Sequence, residues 1–522
     1  MRSAVSWRVA PLVLALVITP AMVTGQAAGD LKGLDQAVAA MMAEFHVPGL
    51  GVGIIKDGQV VLAKGYGFRD VEAKTPVTPR TLFAIGSNSK SFTVVLMGML
   101  VDQKKLEWNK PVQTWLPDFE LHDAYASREM TPQDLVSHVS GLPRHDGLWY
   151  GRSFTREQLY QRLRYLEPNT SFRNVWQYQN LMYLTAGVLV EKVGGQTWEA
   201  QVKEKIFTPL GMTRANTSTN DMPKSDDFSW PYDYRGGKII RVPYRNIDPV
   251  GPAGSINASV EDMLKYVQFR MNYGKAGDRQ LLAARQDSIM QRPRAVVPGG
   301  WTFQGTTEVG PDTYGLGLAV TNYRGHKLVM HGGGIDGFIS QMAWLPQEKI
   351  GLVVLSNSTN SGGGGNPLPN ALTFHLLDRM LGLARIDWHA RAKAQTVRAD
   401  SISKARRAED LKNRVAGTSP SHPLDAYAGR YEHPGYGLLV IRRTAQGLEA
   451  TLDSHTAPLA HVHFDAFEVA PDSPTAGMLQ NVRFNFGLDA KGAVSSVRVP
   501  MEPAVAAIEF TRVPEAAAAG SR

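Results

Sequence analysis

Cysteine is absent from all 522 residues. That removes disulfides, a catalytic thiol, thiolate metal sites and a lipidated N-terminal Cys. Beyond residue 30 no stretch reaches the roughly 18 to 20 apolar residues that a membrane span needs, so no stable span is expected in the mature chain. No internal repeat is visible. An apolar content of 43% with 20% charge excludes disorder and collagen and leaves room for two or three domains with sizeable cores. The net charge of +8 invites an acidic partner. Between Arg391 and Arg414, however, eight Lys/Arg stand against three Asp/Glu, so most of the excess sits in one segment. That segment mixes signs at helical spacing and lacks interleaved aromatics, which reads as a solvated connecting helix and not as a nucleic-acid surface.

What is present begins with Arg2 and Arg8, an apolar run from Val9 to Val23 and then small residues, the layout of a secretory signal peptide over 1–27. Cleavage after Gly25 or Ala27 suits it, with an uncleaved membrane anchor as the alternative. Export without disulfides points to a bacterial envelope protein, periplasmic or secreted. A larger domain is expected over 30–386, a charged helix and turn-rich linker over 387–423, a small domain over 424–514 and a flexible tail over 515–522. In the larger domain "LGVGIIKDGQVVLAKGYG" reads as a hairpin turning at Asp57-Gly58. Three further strands lie in "LVMHGGG", "ISQMAWLP" and "IGLVVLSN", with Pro346 to Lys349 as a turn, and "SGGGGNP" reads as a flexible loop. Sheet at both ends with helices between suggests one α/β domain carrying an inserted helical region. After "VAGTSPSHP", seven or eight short alternating runs at about ten-residue spacing read as a small barrel or sandwich.

The stretch "AIGSNSKSFTVVLMGML", Ala84 to Leu100, places one lysine, Lys90, at the head of a segment that otherwise reads as buried. Ser87 lies three residues earlier, on the same helical face. A serine nucleophile needs a base, and a lysine serves only if its pKa falls well below its ordinary ~10.4. Burial at an apolar helix head favours that fall, because desolvation and the positive helix N-terminus both disfavour the ammonium. The competing reading is a helix-capping Ser with a snorkelling Lys. Spacing alone does not choose, since Ser401-Ile-Ser-Lys404 repeats it in the charged linker. Two histidine groups tempt a metal reading: His138 and His145 with Asp146, and His461 with His463. Neither brings a third ligand at a recognised spacing, and no metal or other cofactor is expected.

Three more stretches carry a resemblance: "WQYQNLMYLTAGVLVEKVGG", "SHVSGLPRHDGLWYG" and "VMHGGGIDGF". With "FAIGSNSKSFT" and "PAGSINASVEDM" they resemble the penicillin-recognising serine hydrolases, the superfamily of serine β-lactamases and penicillin-binding proteins, in its class C β-lactamase-like branch. The likeness spans about Leu34 to Leu383. The tail beyond Leu424 resembles, more weakly, a lipocalin-like domain that follows such hydrolases in one peptidase-related subgroup. The resemblance implies an antiparallel sheet flanked by helices and then a small all-β barrel. It implies Ser87 as nucleophile, Lys90 as its proton partner and Tyr178 as the second acid/base member, Lys90 and Tyr178 forming one coupled titrating pair. Asn180 would bind a substrate amide and orient Lys90. His331 would help hold substrate and keep Tyr178 oriented, beside Gly333, and the oxyanion hole would be the N–H groups of Ser87 and Gly334.

What it implies is a hydrolase acting through a seryl acyl-enzyme on esters or amides: short peptides, D-amino-acid peptides, esters or β-lactams. Gly332 stands where many relatives have a hydroxyl residue, so one donor for a substrate carboxylate is missing, which weakens a dedicated β-lactamase. A catalytically weak peptidoglycan- or peptide-binding protein on the same scaffold is the other alternative. "HGGG" also matches an oxyanion motif of α/β-hydrolase esterases, but the Gly-x-Ser-x-Gly elbow of that fold is absent. Small-molecule or short-peptide substrates are the expected partners, with a homo-oligomer as an option. The tail, which carries no nucleophile-base pair, is expected to tune access through a loop such as Pro471 to Ala476. Truncation after Ala416 is expected to leave ester turnover.

Overall fold

A computed structural model describes residues 31–299, 306–361, 365–469 and 479–514. The signal-peptide reading over 1–27, the tail over 515–522, the turn from Pro471 to Ala476 and most of the Gly run after Ser361 fall outside the described residues.

Alternation in Ile350–Ser356 explains the middle of the larger domain. All seven of its residues are buried, yet Leu352 and Val354 enter one apolar cluster while Val353 and Leu355 enter another. A strand whose successive side chains both find a core must be covered on both faces. One cover is formed by helices Leu34–Glu44 and Leu368–Leu381, the other by the helical region that includes Ser89–Asp102 and Val260–Met271. The strand is central in a sheet of nine described strands. Their spatial order is Ala295–Val296, Thr313–Tyr314, Ala319–Tyr323, His326–Ile335, Phe338–Leu345, Ile350–Ser356, Gly49–Lys56, Gln59–Asp70 and Thr75–Pro76, with every neighbouring pair antiparallel. Both ends of the domain thus build one sheet and the middle of the chain supplies the helices between. The first hairpin turns where the sequence says: Lys56 opposes Gln59, and Asp57 and Gly58 both have positive φ, 52° and 75°, as a two-residue turn matched to strand twist requires.

The register of His326–Ile335 positions the site. Ala319–Tyr323 pairs only with His326 to Met330, whereas Phe338–Leu345 pairs as far as Ile335. From His331 onward the strand therefore leaves its ladder with Ala319–Tyr323, and there it meets the turn that carries Ser87.

The C-terminal strands form a closed eight-stranded barrel in chain order, from Gly429–His433 to Ile508–Val513, which pair with each other to shut it. Closure leaves no open sheet edge. Tyr427, Phe467 and Phe486 meet in the interior, with ring centroids 5.0 to 5.7 Å apart. The charged helix runs from Trp388 to Lys412 and buries only Trp388 and Ala392, as a solvated connector should. Its C-terminal end departs from that reading. Arg407, Arg414 and Arg483 converge on Glu468, which is 5% exposed, and Arg483 also meets Asp410 at 2.8 Å. A buried carboxylate needs such partners, so the connection is clamped to the barrel and is not a loose tether.

Candidate active site

Of the twenty residues from Thr81 to Leu100, Ser87 is the only one that is not buried. It sits in the 3-10 turn Gly86–Asn88, which runs into the helix Ser89–Asp102. The turn is pinned to the sheet: Asn88 Nδ2 donates to Ser340 Oγ at 2.7 Å, and that hydroxyl donates to Ile85 O at 2.7 Å. A methyl group on Gly333 would lie 1.9 Å from Ile85 O, and one on Gly86 would lie 2.7 Å from Gly334 N. Only glycine allows that approach. Ser87 and Gly334 therefore face one cavity with backbone against backbone.

Lys90 is fully buried. Its Nζ lies 3.0 Å from Ser87 Oγ, 2.7 Å from Asn180 Oδ1 and 2.8 Å from Ala253 O. Burial holds its pKa well below the ordinary lysine value; the positive charge of Arg144 pushes the same way and Asp146 opposes. The neutral amine can make all three contacts. Two carbonyl oxygens take its two N–H groups, and its lone pair is left for the Ser87 hydroxyl proton. "PAGSINASVEDM" supplies one of those carbonyls and fastens the helix, with Pro252 O accepting from Thr93 Oγ1 and Ile256 N donating to Ser89 Oγ.

Tyr178 is half-buried and hydrogen-bonds Ser87, and its ring centroid is 4.7 Å from Lys90 Nζ. Burial raises its pKa, outweighing the bond to Ser87 and the charge of Arg144. Burial thus favours the neutral form of both members of the pair, the amine of Lys90 and the phenol of Tyr178. Asn180 opens the helix Asn180–Gly194 and turns its carbonyl to Lys90 and its Nδ2 to Asp146 Oδ1, 3.0 Å away. One of its two N–H donors stays uncommitted to Asp146.

His331 is 1% exposed and its side chain does not line the cavity. Its Nε2 meets Tyr314 OH at 3.0 Å, and burial next to Lys90 pushes its pKa down to about 3, so the ring is neutral. Its link to Tyr178 runs through rings, from Tyr314 to His138 at 4.8 Å and from His138 to Tyr178 at 4.4 Å. His138, weighed in sequence as a metal ligand, is buried; its Nδ1 accepts from Gln179 N at 3.0 Å and its ring backs Tyr178. Among the described residues no three His, Asp or Glu side chains come together as a metal site would require.

The cavity holds about 390 Å³, the scale of small-ligand sites. Ser87, Asn180 and Gly334 line it, with Ile247, Val250 and Ile339 among the apolar walls. Sequence reading missed Arg144 and took Asp146 only as a metal candidate. Asp146 is the hub of this wall: its Oδ1 accepts from Asn180 Nδ2 and from Trp149 Nε1 at 2.8 Å, and its Oδ2 accepts from Arg144 Nε at 2.6 Å.

The barrel holds that wall from behind. His145, with φ 47° and 1% exposure, points away from the cavity between Arg144 and Asp146. Its N–H donates to Glu502 at 2.7 Å, and its ring meets Tyr436 OH at 2.8 Å and Glu167 O at 3.0 Å. Ser153 donates twice to Asp453, and Ser454 Oγ donates to Gly151 O. The barrel is therefore a support of the site, which changes the expectation for truncation after Ala416. The second Ser-x-x-Lys lies on the charged helix, where Ser401 is exposed and Lys404, 77% exposed at its side chain, pairs with Asp400 at 2.7 Å.

A family model described as Beta-lactamase matches residues 34–373, and one described as a domain of unknown function, DUF3471, matches residues 413–512. The chain is 31% identical over 429 residues to Unguisins hydrolase ungD' of Aspergillus campestris (strain IBT 28561), covering 78% of each chain. It is 26% identical over 340 residues to Protein flp of Staphylococcus aureus (strain N315), covering 62% of each. Among solved structures it is similar to the octameric penicillin-binding protein homologue from Pyrococcus abyssi, with a TM-score of 0.59, 25% identity, and coverage of 91% of this chain and 98% of that one. No described helix is long and apolar enough to cross a membrane.

Proposed function

The chain belongs to the Beta-lactamase family, and from that premise we propose that it is an exported serine hydrolase that cleaves ester or amide bonds of small molecules and short peptides through a seryl acyl-enzyme. The observation that carries the reading is the buried Lys90 amine, 3.0 Å from the Oγ of Ser87, the one residue from Thr81 to Leu100 that is not buried. Neutral Lys90 takes the Ser87 proton as Oγ attacks the acyl carbon. The N–H groups of Ser87 and Gly334 receive the oxyanion, a contribution of several kcal/mol in such sites, roughly 3 per donor. Protonated Tyr178 then gives its proton to the leaving alcohol or amine and is recharged from the Lys90 ammonium. Water attacks the acyl-enzyme by the same groups in reverse, returning the proton to Ser87. No metal enters these steps.

Substrate breadth follows from the open cavity: short peptides, including those of D-amino acids, simple esters and β-lactams are the candidates. Gly332 in place of a hydroxyl residue counts against a dedicated β-lactamase, and the bonded set of Ser87, Lys90 and Tyr178 counts against a mere binding protein. Export rests on the layout of residues 1–27, and a homo-oligomer on the octameric relative. The test is intact mass measured during turnover of a chromogenic ester in EDTA. A transient acyl adduct mapping to Ser87 is the expected result; turnover that depends on metal, or an adduct elsewhere, would overturn the reading.

A further inference from the structure

We propose that Arg144 is the receptor for an anionic group of the substrate, a carboxylate close to the bond being broken. The proposal rests on the serine-hydrolase reading and names the substrate class of that same site.

Arg144 and Arg235 line the cavity, and Arg245 and Lys90 stand against residues that do. Arg245 is spent on Asp336, with contacts at 2.9 and 3.0 Å. Arg235 is 61% exposed at its side chain and its Nε is held by Asp233 and Ser361. Lys90, whose burial disfavours its charged form, gives N–H groups to the carbonyls of Asn180 and Ala253. Arg235, like Arg144, is held through its Nε alone, and what sets Arg144 apart from it is its place beside the nucleophile. The Arg144 guanidinium lies 4.9 Å over the ring centroid of Tyr178, the residue bonded to Ser87, and it lines the same cavity. Only its Nε is used, by Asp146; its two terminal nitrogens make no hydrogen bond among the described residues. That leaves the edge of the guanidinium that takes a carboxylate in a bidentate fashion.

Asp146 could be thought to cancel the charge of Arg144. It offsets part of that charge, but it meets only the Nε of Arg144 through Oδ2, so the terminal N–H groups stay available to a second carboxylate. An exposed arginine would also be too mobile to discriminate. Arg144 is half-exposed, but it is clamped by Asp146, by the Tyr178 face and by the neighbouring His145, whose N–H and ring are fixed by Glu502 and Tyr436. A cation held still beside the nucleophile gives up little freedom on binding. It also supplies a donor for a carboxylate where the strand, with Gly332, has no hydroxyl.

The anion could sit on the acyl side or on the leaving-group side, and two substrate pairs separate these. The first compares p-nitrophenyl butyrate with p-nitrophenyl hemisuccinate. The second compares the methyl ester of S-acetylthioglycolate with the free acid, read by thiol release, which a chain without cysteine gives without background. The expected result is a preference for the charged member of one pair, falling roughly tenfold to a hundredfold in Arg144→Gln and partly restored in Arg144→Lys. Equal ratios for wild type and Arg144→Gln in both pairs would overturn the proposal. If wild type hydrolyses none of these esters, it is the hydrolase reading that fails. Arg144 is then judged by thermal shift in Ser87→Ala, where N-acetylglycine is expected to raise Tm more than N-acetylglycinamide does, and no difference between the two would overturn it.

Discussion

Ser87-x-x-Lys90 and Ser401-x-x-Lys404 have the same spacing, both on or at the head of a helix, and they differ in everything that makes chemistry. Lys404 is exposed and satisfied by Asp400; water and a carboxylate both favour its ammonium. Lys90 is sealed, its nearest charged influences are Arg144 and Asp146, and its partners are two carbonyls and a hydroxyl. A nucleophile-base pair is thus defined by what surrounds the lysine, and spacing is only the condition that lets the two side chains meet.

The largest expected effect breaks the comparison outright. Ser87→Ala should lower turnover of an activated ester by roughly 10⁴-fold or more with an unchanged circular dichroism spectrum, while Ser401→Ala should leave kcat within error. Next is Tyr178→Phe, which keeps the ring and removes the proton path. Steady-state kinetics should show kcat falling about 10²- to 10⁴-fold with KM nearly constant; a raised KM at constant kcat would contradict the role.

A smaller effect is expected from the barrel. Glu502→Gln or Tyr436→Phe weakens the hold on His145 and should cost about 1 to 3 kcal/mol of stability in chemical denaturation. Ester kcat/KM should fall as well, by roughly tenfold, because Asp146 and Arg144 shift with His145. For the same reason, truncation after Ala416 is expected to depress ester turnover and not merely to change substrate length preference.

The smallest effect is a pH shift that sharpens the contrast between the two lysines. Activity needs neutral Lys90, so kcat/KM for a neutral ester should rise with pH and be lost as pH falls through the depressed pKa. Arg144 contributes to that depression, so Arg144→Gln should move the rise to higher pH, whereas Lys404→Met should not move it. Stability follows the same sign. The unfolded chain protonates Lys90 up to about 10.4 while the folded chain keeps it neutral, so stability should rise with pH between the depressed folded value and that limit.

Much of this was legible in the sequence because local rules decided it. Asp57-Gly58 specifies its turn with two residues, and the apolar run in "IGLVVLSN" marks a strand. Lys90 stands out because an apolar helix head offers it no surface role. Arg144 and Asp146 were not legible as a pair, since their placement depends on His145 meeting Glu502, 357 positions away, and no periodicity reports such a contact. The charged helix was legible as solvated along most of its length, yet the convergence of Arg407 and Arg414 on Glu468 depends on where the barrel docks. His138 tempted a metal reading that its spacing already weighed against. Histidine next to His145 and Asp146 in sequence suggests ligation, whereas in space it packs behind Tyr178.

The central claim is that Lys90 is the neutral base of Ser87, and the rate at which a fluorophosphonate labels Ser87, followed by mass spectrometry across pH, tests it most directly. The account predicts a rate that rises with a midpoint well below the ~10.4 of a free lysine, with labelling in Lys90→Met that is slow and flat over the same range. A midpoint near the free value, or equal labelling in Lys90→Met, would contradict it.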